Sequence, residues 1–100
     1  MKQEQTNVFL LTRPPLNSRS DLCLKLANRT KNVRLYLAGD GVYHLLTKIE
    51  EELPECKVYA CKEDLEARSI RVGDKVKIPD NFYAMFIEDV MEHSEHTYTF

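Results

Sequence analysis

The stretch Lys57–Arg68, KVYACKEDLEAR, decides the predicted fold. Its first part, Lys57–Cys61, is a short apolar run that predicts a buried strand. The segment Glu63–Arg68 opens with carboxylates, which suit the positive end of a helix dipole, and predicts a helix. Because only Lys62 separates the two, the strand should pass directly into the helix.

The same alternation of strand and helix recurs along the rest of the chain. Apolar runs closed by proline, glycine or polar residues predict the strands, and apolar residues at helical spacing predict the helices. The further strands are predicted at Val8–Thr12, Val33–Ala38 and Val76–Ile78, with an edge strand at Thr97–Phe100. Three further helices are predicted: the first is capped by Ser18 or Ser20 and runs to Thr30, the second runs from Val42 to Leu53, and the third is capped by Asp80 or Asn81 and runs through Val90.

This order predicts an α/β fold of three layers. Four strand-helix units with right-handed crossovers give an open, mostly parallel sheet of four to five strands with helices on both faces, in a flavodoxin-like or Rossmann-like topology. We expect one domain over residues 1–100, since this length suits a single small core.

The composition favours a folded cytoplasmic protein. Apolar residues make up 43% of the chain and charged residues 30%, and the apolar stretch from Val8 to Leu11 is too short for a signal-peptide core or a membrane span. Residues 1–50 hold eight Lys/Arg against four Asp/Glu, and residues 51–100 hold six against twelve. Either this asymmetry steers subunits together or it reflects ordinary solvated faces.

Cys61 is the candidate catalytic residue. It ends a strand and precedes a helix, where the helix dipole favours the thiolate that attacks sulfur or carries a persulfide. Lys62 would favour the thiolate too, whereas the carboxylates that follow would oppose it. The alternative is that Cys61 is simply a small apolar residue that packs in the core.

A second segment is predicted to reach the same crevice, because ligands of open α/β sheets bind outside the carboxyl ends of the strands. The candidate binding residues are Gly39, Asp40, Gly41 and His44, together with Lys62. Asp40 can cap the following helix, and His44 shares its helical face and could polarise the Cys61 thiol. A plain turn is the alternative, since no phosphate-binding glycine pattern is complete.

The other thiols and histidines give weaker predictions. Cys23 lies on the predicted apolar face of the first helix, as a core residue or as a second thiol of interest. Cys56 cannot pair with Cys61, because five residues of extended chain hold them about 16 Å apart. The spacing of His93–His96 is roughly compatible with metal ligands, but no further ligand pair completes a set. We therefore expect no metal and no cofactor.

The segment from Gly41-Val42 through the strand ending at Cys61 and the helix Glu63–Arg68 resembles the DsrE/DsrF/DsrH sulfur-relay family, which includes TusB, TusC and TusD. The likeness extends over Val33 to Phe100. The sequence of the helix Glu63–Arg68 and the short length of the chain are most similar to those of DsrH and TusB. The position of Cys61 resembles that of the sulfur-accepting cysteine of DsrE and TusD, although Ser69 replaces the glycine of their Arg-Gly pair. Some DsrH-type members carry an early cysteine, in the region of Cys23.

This resemblance implies a sulfur-relay protein that carries sulfane sulfur as a Cys61 persulfide, for tRNA thiolation or sulfur oxidation. The expected partners are related subunits, as a homo-oligomer or with DsrE-like and DsrF-like proteins, and the sulfur donor and acceptor proteins. The main alternative is a non-catalytic interaction subunit, which burial of Cys61 would favour. A sensor of small ligands or nucleotides is a weaker alternative, and no direct binding of nucleic acid or membrane is expected.

Overall fold

The computed structural model describes residues 6–100. Strands and helices alternate along the chain, as predicted. The strands are β1 (Thr6–Leu11), β2 (Val33–Leu37), β3 (Cys56–Ala60), β4 (Val76–Lys77) and β5 (Ser94–Thr99); the α-helices are α1 (Ser18–Arg29), α2 (Ile49–Glu52), α3 (Lys62–Ala67) and α4 (Phe82–Glu88), with a 3₁₀ segment at Gly39–Thr47 and a π segment at Asp89–His93.

The five strands form one sheet in the order β4-β3-β2-β1-β5, and every neighbouring pair is parallel. The first three crossovers move one strand at a time toward β4, whereas the last returns across the sheet to β5. Since crossovers between parallel strands are right-handed, the last helix lies on the opposite face from the others. The prediction of a three-layer α/β fold is confirmed.

Each face of the sheet has its own apolar core. The larger core packs α1, the 3₁₀ segment and α3 against side chains such as Phe9, Leu35 and Val58. The smaller core lies under α4, where Tyr36, Tyr59 and Phe82 pack together, and Cys61 belongs to it. The ring centroids of Tyr36 and Tyr59 are 4.8 Å apart. Phe82 and Phe86 of α4 are therefore packing residues, whereas Tyr83 is exposed.

The helix predicted over Val42 to Leu53 differs most from the expectation. It is a 3₁₀ segment followed by the single turn α2, and the two are separated by Lys48, which has a left-handed backbone. Leu46, which would lie on the same face as Val42 if this segment were an α-helix, is exposed. In the 3₁₀ segment side chains repeat every three residues, so a stripe drawn at 3.6 residues per turn loses its register.

The N-cap of α1 also differs from the prediction. Asn17, rather than Ser18 or Ser20, caps α1 by accepting a hydrogen bond from the Arg19 backbone N–H. Ser20 is buried and donates instead to the Arg13 and Pro14 carbonyls.

No helix among the described residues is long and apolar enough to cross a membrane.

A buried polar cluster joins the π segment to the sheet. Arg34 and Tyr36 both donate hydrogen bonds to the Asp89 carboxylate. Asp89 is buried on the inner side of the helical segment, and Tyr36 is buried on β2. Burial, followed by the Asp89 contact, raises the pKa of the Tyr36 hydroxyl well above its ordinary value, so Tyr36 remains a donor. The cluster fixes the end of α4 against the sheet.

Candidate functional site

The topological switch point of the sheet lies between β3 and β4. The chain leaves β3 toward α3 on one face and leaves β4 toward α4 on the other. Ligands of open α/β sheets generally bind at such a point, outside the carboxyl ends of the strands. Cys61 stands at this point, between β3 and α3. Its backbone N–H donates to the Leu37 carbonyl at 3.1 Å, and its carbonyl accepts from Leu65 at 3.0 Å. The backbone of the junction is thus fixed on both sides.

The thiol of Cys61 is enclosed. The residue is 4% exposed and packs in the core beneath α4. Burial raises the pKa of the thiol, and the Asp64 side chain raises it further, whereas the backbone N–H groups of Asp64 and Glu63 lower it. Because the net shift is upward, Cys61 is a neutral thiol near pH 7.

The turn at Gly39 and Asp40 is bonded to α3. The Gly39 N–H donates to Oδ2 of Asp64 at 2.7 Å. Arg68 donates through Nη2 to Oδ1 of Asp40 at 3.0 Å and through Nη1 to Oδ1 of Asp64 at 3.5 Å, and its guanidinium lies 5.5 Å from the ring centroid of Tyr43. Asp40 makes no capping hydrogen bond to the 3₁₀ segment. Arg68 is the residue that holds this edge together.

Gly41 packs against the end of β1. A Cβ atom at this position would lie 2.0 Å from the Leu11 carbonyl oxygen and 2.8 Å from its carbonyl carbon. The backbone of the turn therefore approaches its own sheet as closely as glycine allows, and the space beside it is filled by protein. This contact gives Gly41 a packing role.

His44 is buried, and its imidazole is directed at the connection between β1 and α1. Its Nε2 lies 3.1 Å from the Arg13 carbonyl oxygen. No hydrogen bond within residues 6–100 joins His44 to Cys61, which packs in the core on the other face of the sheet. The suggestion that His44 polarises the Cys61 thiol thus finds no supporting contact. Burial lowers the pKa of His44, although the Arg13 carbonyl and Asp21 oppose that shift.

This burial of His44 predicts a pH-dependent stability. In the unfolded chain the imidazole has a pKa of about 6.5 and takes up a proton that the folded state resists. We therefore expect the free energy of unfolding to fall as the pH drops below about 6.5, and we expect His44→Gln to weaken that dependence. Urea unfolding measured at about pH 7 and about pH 5 tests this. The exposed His96, changed to Gln, is the control and should retain the wild-type dependence; equal slopes for both variants would contradict the role of His44.

Lys62 borders an apolar groove beside the switch point. Its Nζ lies 3.9 Å from Oδ1 of Asp80, and both side chains are largely exposed. The groove has a volume of about 550 Å³, and its apolar lining comes from Leu65, Ile70, Val72 and Ile78. Cys61 does not line it.

Tyr83, on α4, is a neighbour of Cys61 that was not among the predicted site residues. Burial raises the pKa of its hydroxyl, and the nearby Cys61 thiol and Asp64 raise it further. The Tyr83 side chain is nevertheless 56% exposed. It therefore links the enclosed thiol to the surface of α4. The sequence held one indication that Tyr83 is exposed: it directly follows the core residue Phe82 and so points from a different face of the same helix.

The other two thiols lie away from the switch point, in the larger core. Cys23 is fully buried, and burial raises its pKa to about 12. Burial likewise raises the pKa of Cys56 to about 11, and its Sγ lies 3.9 Å from the Ala27 carbonyl oxygen. Both are free, neutral thiols near pH 7. No set of three potential metal ligands occurs in the described part of the chain, and the His93 side chain lies outside that part.

These features define an α/β protein with an all-parallel sheet and a cysteine at its topological switch point. A family model described as "DsrH like protein" matches residues 13–96, and the chain belongs to this family. The resemblance to the DsrH/TusB branch is thereby confirmed, and the family assignment indicates a sulfur-relay subunit. DsrH-like proteins generally work in complexes with DsrE-type and DsrF-type partners. A search of curated proteins found no match.

Proposed function

We propose that this chain is an interaction subunit of a sulfur relay, which completes a complex with DsrE-like and DsrF-like proteins without itself carrying sulfur. The enclosure of Cys61 supports this proposal most directly. A thiol that is 4% exposed, with a raised pKa, lacks both the access and the thiolate character that sulfur exchange requires.

Packing accounts for Cys61 without a chemical role. The thiol fills a place among Tyr36, Tyr59 and Phe82, where a small apolar side chain is needed. In the neighbouring turn, Asp40 and Asp64 are both bonded to Arg68, which gives these two carboxylates a structural role. The pathway served would be of the tRNA thiolation or the sulfur oxidation type.

A second candidate function is favoured by one observation: backbone N–H groups of Glu63 and Asp64 act on the Cys61 sulfur and lower its pKa. These groups would stabilise a persulfide anion once the thiol is uncovered. In that mechanism the acceptor thiolate attacks the outer sulfur of the persulfide. The bond between the two sulfurs breaks, Cys61 leaves as the thiolate, and it then takes up a proton.

One experiment separates the two functions. The chain is incubated with a cysteine desulfurase and cysteine, alone and with DsrE-type and DsrF-type proteins, and its intact mass is measured. We expect no added sulfur that depends on Cys61, since the thiol is neutral and covered. The variants Cys61→Ser, Cys23→Ser and Cys56→Ser are analysed in parallel, and Cys61→Ala should still bind the partners.

The opposite result would be an adduct of about 32 Da, the mass of one sulfur atom, that disappears only in Cys61→Ser. That outcome would establish Cys61 as the carrier and reject the non-catalytic role. An adduct that follows Cys23 instead would move the carrier site to the first helix and would also reject it.

A further inference from the structure

The outward side of α4 and the π segment carries a row of large apolar side chains. Tyr83, Ile87 and Met91 follow one another at four-residue intervals and are 56%, 55% and 79% exposed. The opposite side of the same segment packs on the sheet through Phe82, Phe86 and the buried Asp89. Isolated exposed apolar residues are common on protein surfaces, but an aligned row of three indicates a contact surface.

The surroundings of this row are acidic. From Ile78 to Phe100 the sequence contains no lysine or arginine and five Asp/Glu residues. Of these five, Asp89 is buried, Asp80 pairs with Lys62, and Glu88, Glu92 and Glu95 are exposed. Glu88 and Glu92 each follow a member of the apolar row directly, so they border it. We call this surface, the apolar row with its neighbouring carboxylates, the α4 face.

We propose that the α4 face binds a basic, apolar face of a different protein in the relay complex. This inference rests on the proposed function and adds to it the surface used and the chemistry of the partner. Apolar contacts along the row would supply affinity, and positive side chains beside them would neutralise the carboxylates and speed association. An anionic membrane surface would be repelled by the same carboxylates.

A second copy of this chain fits the α4 face less well than a different chain does. Two α4 faces brought together would oppose like charges. The outer side of α1 does have the required chemistry, with Leu22 exposed near Lys25 and Arg29. It lies on the opposite face of the sheet, so contacts from α4 to α1 would be head-to-tail and would extend from copy to copy unless they closed into a ring. The α1 surface is therefore an example of the apolar, basic surface that the partner should have, but it is not itself the proposed partner.

The position of Tyr83 connects this contact with Cys61. Tyr83 begins the apolar row and also neighbours the Cys61 thiol. A partner seated on the α4 face would cover Tyr83, and with it the surface closest to the switch point. Docking there would cover this edge of the sheet while Cys61 remains enclosed.

The test measures the binding of the full chain to purified DsrE-type and DsrF-type proteins of the same organism. We expect Ile87→Ser to raise the dissociation constant by about tenfold or more, because a central apolar contact is lost. The control is Leu46→Ser, because Leu46 is 64% exposed and lies on the 3₁₀ segment, across the sheet. We expect the double variant Glu88→Lys/Glu92→Lys to weaken binding as well, whereas Glu51→Lys/Glu52→Lys on α2 should not. Wild-type association should slow as salt is added.

The outcomes distinguish this inference from the proposed function. If wild type binds a partner and the α4 variants bind as tightly as their controls, the α4 face is not the docking surface. The proposed function of the chain as an interaction subunit would still hold. If wild type binds neither protein, the proposed function fails and the inference fails with it. If the chain alone forms oligomers that both Ile87→Ser and Leu22→Ser dissociate, the partner is a second copy and the inference is overturned.

Discussion

Gly41→Ala is expected to lower the free energy of unfolding by about 3–5 kcal/mol, at the upper end of single-residue effects. The new methyl group would lie 2.0 Å from the Leu11 carbonyl oxygen, which is a backbone atom of the central strands and has no alternative rotamer. Relief requires moving the turn away from β1. That movement would strain the hydrogen bond from the Ala38 N–H to the Leu11 carbonyl and the one from the Gly41 N–H to the Ala38 carbonyl.

The other two glycines supply matched controls for this prediction. A Cβ at Gly73 meets nothing within 4 Å, so Gly73→Ala should change stability little. Gly39 has a φ of +56°, and a Cβ there would make only an ordinary contact, 3.9 Å from the Thr12 carbonyl oxygen. Gly39→Ala should therefore cost about 1 kcal/mol, from backbone strain. Denaturant unfolding of the three variants gives the comparison. A Gly41→Ala effect no larger than that of Gly39→Ala would show that the turn can shift freely.

Asp89→Ala is expected to destabilise the fold by about 3–5 kcal/mol, the range found when one partner of a buried ion pair is removed. Its carboxylate accepts hydrogen bonds from both Arg34 and Tyr36. Without it, the buried Tyr36 hydroxyl loses its acceptor and the Arg34 guanidinium loses its counter-ion. Thermal and denaturant unfolding measure the loss.

An exposed ion pair is the control for Asp89→Ala. Asp80 pairs with Lys62 at 3.9 Å in solvent, so Asp80→Ala should change stability by no more than about 0.5 kcal/mol. Replacing the whole cluster, with Arg34→Met, Tyr36→Phe and Asp89→Leu together, should recover much of the loss because no unpaired polar group then remains. A loss below about 1 kcal/mol for Asp89→Ala would mean that water replaces its contacts readily.

The strand-helix alternation could be predicted from the sequence because it depends on local signals. The apolar runs around Val8, Val33 and Val58 and the prolines and glycines between them were enough to indicate a parallel sheet with helices on both faces. The predicted bounds of β2 and α1 agree with the structure to within a residue or so. The 3₁₀ segment could not be foreseen in this way, since it packs against β1 through Gly41 and Leu11, which are distant in sequence.

The buried cluster could have been found from two patterns taken together. Asp89 falls at helical spacing after Phe82 and Phe86, so an acidic residue lies on a buried stripe and needs a partner. Arg34 and Tyr36 are two residues apart on β2, so their side chains point to the same face and both can contact Asp89 there. Joining these patterns requires knowing that α4 crosses beneath β2, which only the tertiary structure shows.

The candidate site was only partly predictable. The location of Cys61 at the carboxyl end of a strand followed from local sequence, and the structure shows it there. Its enclosure, and the rise in pKa that burial causes, depend on Tyr36 and Phe82, which are distant in sequence and are brought to it by packing. His44 was expected nearby because of its spacing from Asp40, yet its imidazole turns toward Arg13, since the 3₁₀ segment faces β1.

The strand order has a consequence for how the protein is made. β1 pairs with β2 on one side and with β5 on the other, and β5 is the last strand to be synthesised. Until β5 arrives, β1 presents an open apolar edge, which is the kind of segment that pairs with other chains. The nascent protein is therefore most prone to aggregation through its first strand, and slow translation of the C-terminal part would lengthen that exposure.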